Sequence, residues 1–390
     1  MTDTTELIGR VFDKRYQITE LIGRGGMGAV YKAVHVAMNQ IVALKVLGRS
    51  LAGDEKQIQR FYQEARSSSR LKHPNTIKVF DFGRSEDGHL FLAMEYLEGH
   101  TLSHIIRQEK VLPVKRSLVI GRQVLKSLGE AHKTGLIHRD LKPDNIFITE
   151  IYGEKDYVKV LDFGIAKFFE TGQAHESLTQ TGLICGTPLY LSPEQALGRP
   201  LDGRSDLYSF GVILYEMIGG QPPFRAETPI ALVMRHIHDK PPLLNEFNRE
   251  LVVPDKLNGL IFSLLEKEKT KRPADAEEVI GLIDGILADG NFPEVPSKNY
   301  LPNYPAAQPH TKMERVPSQR VGSIPSNEIQ TVFLPPESDG IVLPDHEAPT
   351  TFMSQEKINK IPPAPWRNHA IEASQATAVK TLAESGTRIP

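Results

Sequence analysis

His138-Arg139-Asp140-Leu141-Lys142-Pro143-Asp144-Asn145 sets a carboxylate, an ammonium and an amide in one short polar loop, with Asp140 and Asn145 five residues apart and Lys142 two after the Asp. Apolar runs flank it, Gly135-Leu136-Ile137 before and Ile146-Phe147-Ile148 after. Such a carboxylate can accept a proton from a hydroxyl, the lysine can steady a phosphate, and the amide can hold a metal ion. One loop of this kind, alone, is equally a solvated turn. Three further signals stand at a distance from it: Asp162-Phe163-Gly164 after a strand-like run over 157–161, the turn Gly23-Arg24-Gly25-Gly26-Met27-Gly28, and Lys45 closing Val42-Ala43-Leu44-Lys45.

Outward from these signals the chain divides in two. Residues 1–15 read as a polar lead-in. Tyr16 to Ile22 and Ala29 to Val34 read as strands about the glycine turn, a hairpin. A third strand, Gln40–Leu47, carries Lys45. Residues 55–72 read as a helix, because Ile58, Phe61 and Ala65 make an apolar stripe and Pro74 lies just past the end. Strands over 76–82 and 90–96 complete a small, mostly antiparallel lobe. After Gly99 the pattern is mainly helical, with helices over 114–133, 206–218, 228–238, 255–267 and 276–288. The 206–218 segment is apolar nearly all round and stops at Gly219-Gly220, which predicts a helix buried at a domain centre. The glycine pattern also occurs in dinucleotide-binding folds, where it leads into a helix; Ala29-Val30-Tyr31-Lys32-Ala33 reads as a strand instead.

Four separated motifs in this order resemble the signature set of protein kinases, and the sequence resembles a bacterial Hanks-type serine/threonine protein kinase. The resemblance spans about residues 16–290. It implies an α+β, two-lobed fold, a small β-rich lobe over a larger helical lobe with ATP between them, and transfer of the ATP γ-phosphoryl group to Ser or Thr hydroxyls of proteins. Asp140 is then the catalytic base, Lys142 neutralises charge on the transferred group, and Asn145 and Asp162 hold Mg²⁺, with Mn²⁺ as a substitute. Lys45 places the phosphates, with Glu64 as its ion-pair partner from the 55–72 helix. The nucleotide pocket implied is Ile22, Gly23, Arg24, Gly25, Gly26, Met27, Gly28, Ala29, Val30, Ala43, Lys45, Met94, Glu95, Leu97 and Phe147; Phe147 is bulkier than the Leu or Met usual there. Leu-Lys-Pro-Asp-Asn points to Ser/Thr rather than Tyr as acceptor. Residues 165–194 correspond to the activation segment, in which Thr181, with Thr179 second, is the implied regulatory phosphorylation site, modified by a transient partner copy. Thr187 matches the threonine that bonds the base and lysine, Glu194 is expected to pair with Arg272, and Asp206 to brace the Asp140 loop. Each polar residue has a bland alternative: a lysine more often keeps its head in water on an edge strand, and the loop threonines can be simple surface groups. A pseudokinase or an adaptor acting through its tail is the rival function, although Lys45, Asp140 and Asp162 are all present.

The bulk composition agrees with a globular enzyme. The 390 residues carry a formal charge of -2 and are 40% hydrophobic, so neither nucleic acid nor an anionic membrane is expected as main partner. The single cysteine, Cys185, permits no internal disulfide and fits a reducing, cytoplasmic compartment. No apolar run approaches the ~20 residues of a membrane span, whereas many members of the resembling family carry one after the kinase domain. Residues 291–390 hold 15 of the 28 prolines without a period and few apolar clusters, which predicts a disordered tail, with a short helix possible over 371–382.

Overall fold

The computed structural model describes residues 7–25, 28–48, 55–163, 188–247, 251, 253–290 and 292. The expectations for Gly26, Met27, Thr179, Thr181, Cys185, Thr187 and the 293–390 tail lie outside these residues.

Strand alternation builds the small lobe. β1 (Val11–Phe12), β2 (Tyr16–Gly25), β3 (Gly28–His35), β4 (Gln40–Leu47), β5 (Val79–Arg84) and β6 (Leu90–Glu95) form one antiparallel sheet in the order β1-β2-β3-β4-β6-β5. Successive side chains point to opposite faces. Val42, Leu44 and Val46 therefore join Phe12, Tyr16, Ile18, Tyr31 and Phe91 in one apolar layer. Ala43 and Leu47 join Leu92 and Met94 in the other, which is covered by Ile58, Phe61 and Ala65 of helix α1 (Glu55–Ser69). The same alternation turns Lys45 toward the face that α1 covers. Gly28 is required where β3 crosses β4, since a Cβ there would stand 2.1 Å from the Val46 carbonyl oxygen.

The larger lobe begins with β7 (Gly99–Thr101), α2 (Leu102–Glu109) and α3 (Val114–Lys133), then β8 (Ile146–Ile151) and β9 (Glu154–Val160), which pair as β7-β8-β9. Among the described residues the short α4 (Pro193–Ala196) is followed by α5 (Gly203–Gly219), α6 (Pro229–His238), α7 (Leu244–Phe247), α8 (Asp255–Leu264) and α9 (Ala276–Asp289), of which α7 is a single turn. As its all-round apolar sequence predicts, α5 is buried along almost its whole length. Asp202 caps its start by accepting from the Arg204 N–H, and Gly220 ends it in the left-handed region (φ 76°). No helix among the described residues is long and apolar enough to cross a membrane.

Three expectations shift. Part of the lead-in belongs to the sheet: Val11 and Phe12 pair with β2, Phe12 is core, and Arg15 bonds Asp81 at 2.5 Å. The helix expected over 55–72 stops at Ser69, because the Glu130 carboxylate of α3 takes the Lys72 and His73 N–H groups and turns the chain. The strand expected from Thr76 starts at Val79; Thr76 instead bridges in parallel to Val160, tying the small lobe to β9.

Candidate active site

The 138–145 loop hangs from one buried carboxylate. Asp206, in the first turn of α5 and 1% exposed, accepts the backbone N–H groups of His138 (2.8 Å) and Arg139 (2.9 Å) and lies 2.7 Å from His132 Nε2. Burial alone would raise its pKa, but the His132 hydrogen bond, the two histidines and the His138 N–H outweigh that, and the carboxyl sits below its ordinary range. Arg139, in the left-handed region (φ 64°), is pinned from the other side by Gln195 Nε2, which donates to its carbonyl at 2.7 Å. The His138 ring packs on Phe163 (4.8 Å between centroids) and its Nε2 lies 2.9 Å from the Leu161 carbonyl, so this loop and the Asp162 segment are locked together.

Held this way, Asp140 meets its neighbours. Lys142 Nζ donates to Asp140 Oδ2 at 2.7 Å, and Asn145 Nδ2 donates to the Asp140 carbonyl (2.8 Å) and to Oδ2 (3.2 Å). The Leu161 N–H donates to the Asn145 carbonyl at 2.8 Å, which carries the constellation on to Asp162. Lys45 Nζ reaches across from β4 to Asp162 Oδ2 at 2.7 Å. Burial opposes the Asp162 charge, yet Lys45, with lesser help from His138 and Lys142, holds its pKa below the ordinary value. Asp162 is a carboxylate here, and Lys45 is its ion-pair partner.

The Lys45–Glu64 pair is not made in this conformation. Glu64 is on the buried stripe of α1, as its place beside Phe61 and Ala65 implied, but Lys45 is committed to Asp162. The Glu64 Oε2 atom has no hydrogen-bond partner among the described residues. Burial pushes its pKa from 4.5 to about 7, only partly offset by the charge of Arg139. In this conformation Lys45 serves Asp162 and not Glu64.

The nucleotide-side residues gather over this centre. Strand register aligns Gly23, Val30, Lys45 and Leu92 in one row across the sheet, so the strands that flank the glycine turn run beside Lys45; Arg24 pairs with Ala29 and Gly25 with Gly28. Ala43 and Met94 share an apolar cluster with Val30, Leu97 and Leu161. Ile22 is 49% exposed at its edge, and Phe147 is half-buried on β8. Glu95 is clamped: its N–H donates to the Lys78 carbonyl, while its Oε1 accepts from the Lys78 N–H (2.8 Å) and from Lys159 Nζ (2.7 Å). Sequence reasoning missed Leu161, Lys159, His132 and Gln195. Only Gln195 left a local signal, the Ser192-x-x-Gln195 capping box that starts α4.

The donor set suits a hard cation bound together with phosphate. Asn145 spends its side-chain nitrogen on Asp140, leaving its side-chain Oδ1, and Asp162 gives one oxygen to Lys45, leaving the other. No cluster of three or more His, Cys, Asp or Glu able to hold a metal occurs among the described residues. A cation here would draw its remaining ligands from phosphate and water, as Mg²⁺ does.

Comparison with known proteins agrees with this geometry. The family model for the protein kinase domain matches residues 16–281. Serine/threonine-protein kinase pkn3 of Myxococcus xanthus is 44% identical over 275 residues, 70% of this chain and 50% of that protein. PrkC of Bacillus subtilis is 36% identical over 273 residues, covering 70% and 40%. The Mycobacterium tuberculosis PknI kinase domain superposes with a TM-score of 0.55 at 29% identity, over 71% of this chain and 98% of that one. The chain thus spans half or less of the length of these curated relatives. It belongs to the protein kinase family, in the bacterial Hanks-type serine/threonine branch.

Proposed function

We propose that this chain transfers the γ-phosphoryl group of ATP to Ser or Thr hydroxyls of proteins. The observation that carries the reading is the single hydrogen-bonded constellation of Asp140, Lys142, Asn145, Asp162 and Lys45. Asp140 orients the acceptor hydroxyl and takes its proton; Lys142, already against Asp140, neutralises charge on the group in flight. Lys45 positions the phosphates, and the backbone of Glu95 and Leu97 meets the adenine between Ile22, Val30, Ala43 and Phe147. Asn145 and Asp162 hold Mg²⁺, or Mn²⁺ in its place, which when bound supplies positive charge to the phosphate oxygens. Catalysis is then mainly positioning and charge stabilisation. Incubating the purified chain with radiolabelled ATP and a panel of proteins tests the reading, and label found only on non-protein acceptors would overturn it.

Lys45 must be shared. In the working state we propose that Lys45 exchanges Asp162 for Glu64, which would leave both Asp162 oxygens available to hold a cation. A carboxyl raised to about 7 is neutral below that pH and a poor partner for Lys45. The sign follows: ionising buried Glu64 penalises the present conformation progressively as pH rises from the ordinary 4.5 toward 7, and that penalty drives the exchange. Activity at saturating ATP is therefore expected to climb through about pH 7. Glu64→Gln should lose on the order of 10- to 100-fold through misplaced phosphates, and should lose that pH step as well. A mutant with wild-type rate and an unchanged profile would refute the exchange.

Regulation and boundaries are proposals of the same kind. Thr181, and secondarily Thr179, accept phosphate from a transient partner copy; each phosphate would bring about -1.5 to -2 charges. Mass spectrometry of active enzyme should find phosphate there, and the double Thr→Ala variant should be markedly slower; full activity without phosphate would end the idea. The domain is proposed to occupy residues 16–290, preceded by the 1–15 segment, of which Val11 and Phe12 join the sheet. A chain ending at 290 should then retain transfer, and a folded but inactive truncation would assign the tail a catalytic part. One cysteine in 390 residues supports a cytoplasmic location.

A further inference from the structure

On the reading that the chain binds ATP, we propose that Lys32 and Tyr96 form a latch between the small-lobe sheet and the connection joining the two lobes, and that this latch slows nucleotide release. Lys32 Nζ lies 4.5 Å from the centroid of the Tyr96 ring, within cation–π reach. The two residues come from different parts of the chain, Lys32 from β3 and Tyr96 from the 96–98 segment that links β6 to β7. Strand pairing places the contact at the base end of the pocket. Lys32 pairs with Ala43, and Ala43 with Met94, so the three share a face of the sheet. The row that carries Lys45 is a different one, two residues along β3.

Both ends of the contact are held by their surroundings. The β2–β3 pairing slips between Ile18 and Glu20, and there Thr19 Oγ1 donates to the Lys32 carbonyl at 3.0 Å, which fixes the backbone that carries the lysine. Tyr96 follows Glu95, whose carboxylate takes the Lys78 N–H and Lys159 Nζ, and its ring packs against the cluster of Ala43 and Met94. A nucleotide between the lobes leaves as the sheet lifts from the connection, and that motion parts the ammonium from the ring. The rival partner is Glu20, which stands opposite Lys32 on β2. A lysine drawn to Glu20 would leave the ring unlatched.

Stopped-flow displacement of a fluorescent ADP analogue from the full chain with Mg²⁺ tests the latch. Lys32→Met and Tyr96→Leu should each speed release roughly two- to fivefold, the worth of one such contact near the surface. The double variant should release no faster than the faster single one, because the same pair is lost only once. Tyr96→Phe keeps the ring and should hold the wild-type rate. In the steady state, KM for ATP should rise in Lys32→Met without a fall in kcat. Glu20→Gln should leave release unchanged; if it speeds release as Lys32→Met does, the lysine serves Glu20 and the latch is overturned. A double variant whose effects add, a Tyr96→Phe as fast as Tyr96→Leu, or release indifferent to Lys32 overturns it too. If the wild type binds neither the analogue nor ATP, the ATP reading falls and the latch with it, whereas tight binding with any of the preceding results overturns the latch alone.

Discussion

Asp140→Asn is expected to lower phosphoryl transfer by about 10²–10⁴-fold, the usual cost of losing a positioned base, while leaving the fold and ATP binding nearly unchanged. The two halves of that expectation come from different bonds. Asn keeps the size of Asp and an oxygen that can still accept from Lys142 and Asn145, the partners of Oδ2 at 2.7 and 3.2 Å. It loses the negative charge that would take a proton from the acceptor hydroxyl. The loop itself does not hang on this side chain: Asp206 holds the His138 and Arg139 N–H groups and Gln195 holds the Arg139 carbonyl. Single-turnover rates, thermal melting and nucleotide affinity of one preparation decide the matter. A mutant that turns over near the wild-type rate, free of contaminating kinase, removes Asp140 from the chemistry. A mutant that melts far lower makes it a structural residue instead.

What could be read from the sequence was whatever has a period or a fixed local spacing. The alternation that puts Lys45 opposite Leu44 is a property of any strand, and the Ile58, Phe61, Ala65 stripe fixed the inward face of α1, with Glu64 on it. The five-residue step from Asp140 to Asn145 closed as a loop because Pro143 to Asn145 form a 3-10 turn. Glu194 and Arg272, 78 residues apart, were matched only through the family resemblance, and they do pair. Partner choice among distant charges was less legible. Which carboxylate Lys45 takes depends on the conformation of Asp162, a non-glycine residue in the left-handed region (φ 52°), and no spacing encodes that. His132 under Asp206 and Lys159 on Glu95 are likewise tertiary pairings whose members look like ordinary helix and strand polar residues in sequence. Phe12 was hidden because a two-residue strand is too short to show alternation.

Breaking the Glu194–Arg272 pair should be the most damaging single change to stability. All five guanidinium donors of Arg272 are used: Nη1 and Nη2 fork onto Glu194 at 2.7 and 2.8 Å, and the rest reach the carbonyls of Arg204, Glu266 and Lys267. The side chains are 0% and 6% exposed, and Ser205 Oγ donates to the same carboxylate. Arg272→Met leaves a buried, uncompensated carboxylate, which typically costs about 3–5 kcal/mol, or roughly 6–20 °C in Tm for a domain of this size. The pH dependence identifies the cause. Burial works against the Glu194 charge in the wild type, but Arg272 and Ser205 outweigh it and depress the pKa. The pair's contribution is therefore present above the ordinary carboxylate range and lost as pH falls through the depressed value. Without Arg272, burial is opposed only by the Ser205 and backbone hydrogen bonds, the folded pKa rises, and the penalty grows as pH increases from the unfolded value. The gap in Tm between wild type and Arg272→Met should thus be wide at pH 7.5 and narrow near pH 4, wherever both still fold. Glu194→Met with Arg272→Met should recover part of the loss, because no charge is then left buried. A gap that stays constant with pH, or a double variant no better than the single one, would mean that lost packing against Tyr208, whose ring lies 4.9 Å from the guanidinium, carries the effect instead.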